Sequence, residues 1–309
     1  MKKILITPKI NPDLDGFACA YAYTKLLQKI NTDNNVKYVC GISGNFQPEV
    51  QFMINYLNID DFFYNPDDNL KNFDKFIIVD ASDIKGMPSC IKSEKVIEVI
   101  DHREKHEAEK IFPNAKIQVD LIGAAATIIF EKYRKNDYEL TRNIGILLYG
   151  AIHSNTLNLK MSLTSSRDKL AVKYLQKRFN IHANLINEMF LYKTKKIFND
   201  LEINIINDFK VVDFSLGRIG IAQIEGIGIL NFIENNLLEI KKILSSLKVK
   251  NNLKYIFLTA VDVKNEKNIF IVIDDKTKDI LSSQFTIKFN EGLAMLDEII
   301  LRKQIIPLL

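Results

Sequence analysis

Three short apolar runs early in the chain each lead into acidic residues. Phe76–Val79 runs directly into Asp80, Val96–Ile100 runs into Asp101 and His102, and Ile4–Thr7 is followed by Asp13 and Asp15. Each run reads as a strand, and so does Val36–Cys40. Phe17–Ile30 and Val50–Leu57, between them, carry apolar residues at helical spacing. Strands that alternate with helices predict an α/β fold with a doubly wound, mainly parallel sheet. Ligands of such sheets sit outside the carboxyl ends of the strands. The acidic residues all fall just past strand ends, which places them around one candidate site.

Further along, Ala124–Arg134, Ile144–Asn155 and Arg167–Phe179 read as consecutive helices, and the stretch from His182 to Glu202 is helical and basic at Lys193, Lys195 and Lys196. Those lysines suit a solvated helix face better than a binding surface. The pattern then changes. Lys210–Phe214 and Ile219–Ile224 suggest a hairpin around Leu216 and Gly217, and Leu230–Leu247 a helix. Tyr255–Val261 and Ile269–Ile273 suggest strands, and Glu291–Leu301 a final helix. The expected organisation is an N-terminal domain over 1–185, a helical linker over 186–204, and a smaller mixed α/β domain over 205–309. With 309 residues, 47% of them apolar, the chain has material for two cores.

Charge narrows the partners. Lys and Arg number 42 against 38 Asp and Glu, a formal +4, which creates no field that would select nucleic acid or a membrane surface. Cys19, Cys40 and Cys90 form no CxxC pair and read as buried thiols of a reducing compartment. Met1–Ile6 is too short for the apolar core of a signal peptide, and no run approaches the roughly 18 apolar residues of a membrane span. The expectation is a soluble, cytoplasmic protein.

Four segments carry the chemistry. In Asn11-Pro12-Asp13-Leu14-Asp15-Gly16, two carboxylates at i and i+2 can face one cation, or the segment can be a turn that caps the following helix. Asp80, ending Ile77-Ile78-Val79, suits a ligand and a helix cap equally. His102, beside Asp101 at a strand end, suits a metal ligand whose other ring nitrogen is fixed by an acceptor, though a lone histidine is more often structural. Gly150-Ala151-Ile152-His153-Ser154-Asn155-Thr156-Leu157, taken alone, is a polar helix terminus.

In this order the four segments resemble the motif series of the DHH phosphoesterase superfamily. Leu121-Ile122-Gly123-Ala124-Ala125-Ala126-Thr127-Ile128-Ile129 resembles a helix start of its second subfamily, which holds the manganese-dependent (family II) inorganic pyrophosphatases and the Prune/exopolyphosphatase group. The likeness continues through Thr164–Asp168 and Ile221–Ile224 to the tail Leu301–Pro307, which resembles that subfamily's C-terminal (DHHA2) domain. The nuclease-type GGGH stretch is missing, which argues against an exonuclease.

The resemblance implies one or two Mn²⁺ or Mg²⁺ ions. By motif position Asp13, Asp15, Asp80 and His102 match family metal ligands, with Asn155 where a fifth is expected and Asp101 orienting His102. Asp80, His102 and Arg103 would be the catalytic group, and Lys9, Arg103, Arg302 and Lys303 would hold substrate phosphate. This chain departs from the family at two positions. Lys9 stands where the pyrophosphatases have a metal-binding histidine, and Asn155 where they have an aspartate. An ammonium cannot ligate a metal, and an amide ligates more weakly than a carboxylate. Lys9 is then either a fixed charge replacing one cation or a solvent-facing side chain of a decayed site. The expected function is metal-dependent hydrolysis of a phosphoanhydride or phosphoester in a small anionic substrate, such as pyrophosphate, short polyphosphate or a nucleotide. The alternative is a degenerate relative that binds phosphate or nucleotide. A homodimer through edge strands, as among the relatives, is compatible with the sequence but not required by it.

Overall fold

The structure, a computed structural model, describes residues 1–65, 73–104, 106–214 and 217–309, and the chain separates into two units, Met1–Met189 and Phe190–Leu309. The first unit runs β1 (Lys2–Thr7), α1 (Leu14–Ile30), β2 (Val36–Ser43), α2 (Pro48–Leu57), β3 (Phe63–Asn65), β4 (Lys75–Val79), β5 (Val96–Asp101), α3 (Ala108–Ile111), β6 (Lys116–Val119), α4 (Ala125–Lys135), α5 (Arg142–Asn155) and α6 (Ser166–Phe179). The division between units falls within α7 (Leu185–Asn199).

The six strands form one sheet in the order β3-β2-β1-β4-β5-β6, and every pairing among the described residues is parallel. The chain moves outward from β1 to β3 and then returns to place β4 on the other side of β1. That reversal leaves a crevice beyond the carboxyl ends of β1 and β4. The expected doubly wound sheet is therefore present. Leu5, Phe76, Ile78, Val96 and Val99 pack on one side with Ala108 and Phe112. On α1, every residue from Leu14 to Leu27 except Lys25 is buried, and the helix packs against α4 and α5. Each large apolar side chain so buried stabilises the unit by about 1.5–3 kcal/mol. The close fit of α5 to α6 depends on Gly145, where a Cβ would lie 2.0 Å from the Phe179 ring.

The helix starts differ in a way that matters for the site. Asp13 caps α1 by accepting from the Gly16 N–H, and Ser165 and Asp168 form a reciprocal capping box on α6. The α4 N-cap, Ala124, has no side chain that could accept a hydrogen bond. The first amides of α4 must find acceptors elsewhere.

The second unit continues with α8 (Leu201–Asn207), β7 (Phe209–Phe214), β8 (Gly217–Gly226), α9 (Ile229–Lys250), β9 (Tyr255–Asp262), β10 (Lys267–Val272), α10 (Asp275–Gln284), β11 (Leu293–Leu296) and α11 (Arg302–Ile305). Its sheet has the order β11-β10-β9-β8-β7, parallel between β8 and β9 and antiparallel elsewhere. Alternation in β9 sends Ile256, Leu258 and Ala260 to the face covered by Ile240, Leu244 and Leu247 of α9, and Tyr255 and Phe257 to the face shared with Leu281 and Ile305. The expected β7–β8 hairpin is antiparallel, but Leu216, expected at its turn, lies outside the described residues.

One element is corrected. Glu291–Leu301 is not a helix: Glu291 and Gly292 both take left-handed backbone (φ 49° and 80°), and β11 follows, antiparallel to β10. A helix does form at Asp275–Gln284, which is mostly polar, buries only Thr277 and Leu281, and starts from the Asp274 cap.

Candidate metal centre

Asp15 lies in the first turn of α1, with its carboxylate buried and aimed at the start of α4. The Ala126 N–H donates to its Oδ1 and the Ala125 N–H to its Oδ2, both at 2.8 Å. These are the amides that Ala124 leaves uncapped, so a helix N-terminus and a buried carboxylate satisfy one another. Asn155, at the end of α5, donates from Nδ2 to Asp15 Oδ2 at 3.0 Å and to the Gly123 carbonyl at 2.9 Å. Burial first and the Asp80 charge second hold the Asp15 pKa well above the usual carboxylate range, against the opposing pull of His102 and the Ala126 amide.

Asp80 follows β4 in left-handed backbone (φ 55°), its amide donating to the Ile100 carbonyl at 2.7 Å. Such a conformation in a non-glycine residue costs about 1–3 kcal/mol and concentrates at functional positions. Gly16 makes room for it: a Cβ there would lie 2.9 Å from Pro8 Cβ and 3.2 Å from Asp80 Oδ2.

His102 follows β5 directly. Its Nδ1 lies 3.1 Å from the Ile122 carbonyl, which accepts only if Nδ1 carries the proton. The other nitrogen, Nε2, faces Asp80 Oδ1 at 3.3 Å and Asp15 Oδ2 at 3.8 Å. Burial lowers the His102 pKa, but Asp80, then Asp15 and Asp101, outweigh it and push it up to about 10. One ligand atom each from Asp15, Asp80 and His102 lie within 4.8 Å of one another. Two carboxylate oxygens and an imidazole nitrogen converging on one point fit a divalent ion such as Mn²⁺.

Not every expected ligand joins this cluster. Asp13 caps α1; its side chain remains exposed, although desolvation by surrounding protein and then the Asp80 charge raise it to about 7. Asn155, expected as a ligand, borders the cluster with its Nδ2 3.3 Å from His102 Nε2, and in this arrangement it braces Asp15 and the Gly123 carbonyl. Asp101 is corrected. Its Oδ1 accepts from the His102 main-chain N–H at 2.8 Å and its Oδ2 pairs with Arg103 Nε at 2.9 Å, while Ile122 orients the imidazole.

Lys9 and Arg103 meet at a residue that motif reasoning passed over. Asp83 Oδ2 lies 3.1 Å from Lys9 Nζ and 3.4 Å from Arg103 Nη1. A second acidic residue after Val79, just past Asp80, was the available signal. Asp168, which the sequence offered only as the end of the Thr164–Asp168 likeness, is fully buried and accepts from Gly123 N–H (2.9 Å), Thr127 Oγ1 (2.6 Å), Ser165 N–H (2.7 Å) and Ser165 Oγ (2.7 Å). It thereby fixes the segment whose amides hold Asp15. In the second unit Arg302, expected at the substrate, is engaged within its own unit. It is buried, and its guanidinium donates to the Asp208 carbonyl, to Asp208 Oδ1 at 2.6 Å and to the Ile221 carbonyl at 3.3 Å. Lys303, next on α11, is exposed.

Residues 3–152, which carry all of the clustered ligands, match the family model for the DHH family, N-terminal domain. The chain is 27% identical to a "Probable manganese-dependent inorganic pyrophosphatase" of Clostridium acetobutylicum over 98% of this chain and 96% of that one. It is 24% identical to a protein of the same name from Bacillus cereus, over 100% and 98%. Among solved structures, a Methanococcus jannaschii protein assigned to family II inorganic pyrophosphatases aligns at TM-score 0.72 with 24% identity, over 99% of this chain and 97% of that one. An exopolyphosphatase-related protein from Bacteroides fragilis aligns at 0.51 with 10% identity, over 99% and 90%. The α/β arrangement of each of the two units is shared with these folds. Among the described residues no helix is long and apolar enough to cross a membrane.

Proposed function

We propose that this chain is a metal-dependent hydrolase of a phosphoanhydride or phosphoester bond in a small anionic substrate, with pyrophosphate the first candidate. One Mn²⁺ or Mg²⁺ would be held by Asp15, Asp80 and His102. The observation that carries this reading is the convergence of those three ligand atoms in the crevice beside β1 and β4. The names of the Clostridium and Bacillus relatives support both the metal and the substrate class.

When bound, such an ion supplies positive charge that polarises a phosphoryl group. The chain's own residues prepare the site for it. Ile122 fixes the His102 tautomer, so that Nε2 can present a lone pair. The α4 amides and Asn155 hold both Asp15 oxygens in place. Arg103, anchored at Nε by Asp101, and Lys9 supply cations for phosphate oxygens.

Asn155 favours a single ion over two. A carboxylate at that position would stand about 3 Å from Asp15 and call for a second cation, whereas the amide neutralises the contact by hydrogen bonding. The same substitution supports a second reading, a non-catalytic phosphate or nucleotide binder.

Loading the protein with Mn²⁺, counting bound metal and following phosphate release from pyrophosphate, tripolyphosphate and nucleotides decides between them. Hydrolysis predicts one ion per chain and release that disappears in Asp80→Ala. A protein that binds its ion and releases nothing from any substrate is the binder.

A further inference from the structure

The Lys9–Asp83–Arg103 cluster has a feature that the proposed chemistry does not require. Two cations converge on one carboxylate oxygen, Asp83 Oδ2, at 3.1 Å and 3.4 Å. The other oxygen, Oδ1, is shielded from solvent and accepts no hydrogen bond among the described residues. Buried Asp168, by contrast, has both oxygens engaged in hydrogen bonds. The half-exposed Arg103 guanidinium is tethered by an ion pair. Its Nε is held at 2.9 Å by the fully buried Asp101, which leaves Nη1 pointing outward to Asp83. The three residues follow β1, β4 and β5, the strands that also present Asp15, Asp80 and His102, and Arg103 adjoins His102 in sequence.

We propose that Asp83 is an internal anion occupying the phosphate position between Lys9 and Arg103, and that a ligand must displace it to bind. Asp83 then sets a charge threshold. A monoanion offers the two cations no more than the carboxylate already there. A phosphate dianion offers more charge and three oxygens, enough to engage both cations at once. Displacement is inexpensive because Asp83 is about one-third exposed, with 37% of its side chain accessible, and can turn to solvent. This inference rests on phosphate being the ligand of the site, but not on its hydrolysis.

The test is calorimetric titration of the Mn²⁺-supplemented full chain with inorganic phosphate, a ligand with no bond for the protein to cleave. Removing a competitor held by two half-exposed ion pairs should tighten phosphate binding on the order of tenfold in both Asp83→Asn and Asp83→Ala. The gain should vanish when Lys9→Met and Arg103→Met are combined with either change. Binding that is equal or weaker in both single variants would overturn the proposal, because Asp83 would then be placing the cations and not competing for them. A gain that survives intact without Lys9 and Arg103 would overturn it too, since it would reflect only the general loss of a negative charge. Wild-type protein that hydrolyses nothing, while Asp83→Asn binds phosphate more tightly, would remove the hydrolase reading and leave this one standing.

Discussion

Replacing Asp168 by Asn tests whether the metal site is held from behind. The carboxylate accepts four hydrogen bonds in a fully buried position, three of them at Oδ2 and the Thr127 hydroxyl at Oδ1. Asn keeps the shape but retains only one acceptor oxygen and turns an NH₂ group toward at least one donor. If Oδ1 becomes the amide nitrogen, Thr127 can rotate its hydroxyl and the loss is small. If Oδ2 does, the Gly123 and Ser165 amides face a donor. The better orientation therefore keeps the oxygen toward Gly123, and it still forfeits the charge that strengthens all four bonds. At about 0.5–1.5 kcal/mol per bond weakened or lost, the expected destabilisation is about 2–4 kcal/mol. Asp168→Ala, which strands the buried Gly123 amide and Thr127 hydroxyl and removes the capping box, should cost about 3–6 kcal/mol. Urea unfolding measures both. The more telling measurement is Mn²⁺ affinity, since Gly123–Thr127 presents the amides that hold Asp15, and it should fall in Asp168→Asn even where the protein is fully folded. A destabilised variant with wild-type metal affinity would refute the link from Asp168 to the site, and a wild-type urea midpoint would refute the hydrogen-bond accounting.

Two further outcomes follow from the same geometry. Asn155→Asp should lower the melting temperature of metal-free protein, because it sets a carboxylate beside buried Asp15, and should raise the Mn²⁺ count above one per chain; an unchanged count and melting temperature would contradict the bracing role. His153 is buried, and desolvation, only partly offset by Asn158, lowers its pKa to about 4 from 6.5, so the folded state favours neutral imidazole. Its contribution is unaffected above pH 6.5 and is lost as pH falls from 6.5 toward 4, an acid destabilisation of about 3 kcal/mol that His153→Phe should abolish in melts at pH 7.5 and 4.5.

The parts of the fold legible in the sequence were those where one property repeats. β1, β4 and β5 are largely apolar because both faces of a parallel sheet are covered, and each ends at or just before a polar residue because the chain emerges there into the crevice. β3 and β6 are short edge strands with mixed side chains, and nothing in Phe63–Asn65 or Lys116–Val119 separates them from loops. At the site, Asp15, Asp80 and His102 were readable because ligand chemistry belongs to side chains. The amides of Ala125 and Ala126 were not, since a main-chain donor has no letter of its own. Arg302 shows the converse limit: its residue type suits phosphate, yet the acceptors around it, Asp208 and two carbonyls, are assembled only by the β7–β8 pairing and the α11 start.

The left-handed backbone at Asp80 also biases how this site can change over generations. Asn tolerates that conformation nearly as well as Asp, and Gly adopts it freely. Glu, the closer chemical substitute, tolerates it less and would carry an extra methylene into the space bordered by Gly16. Drift at position 80 is therefore channelled toward residues that surrender charge while keeping the chain path. A lineage that stopped needing the cation would lose it one neutral substitution at a time, and the sheet beneath would record nothing of the loss.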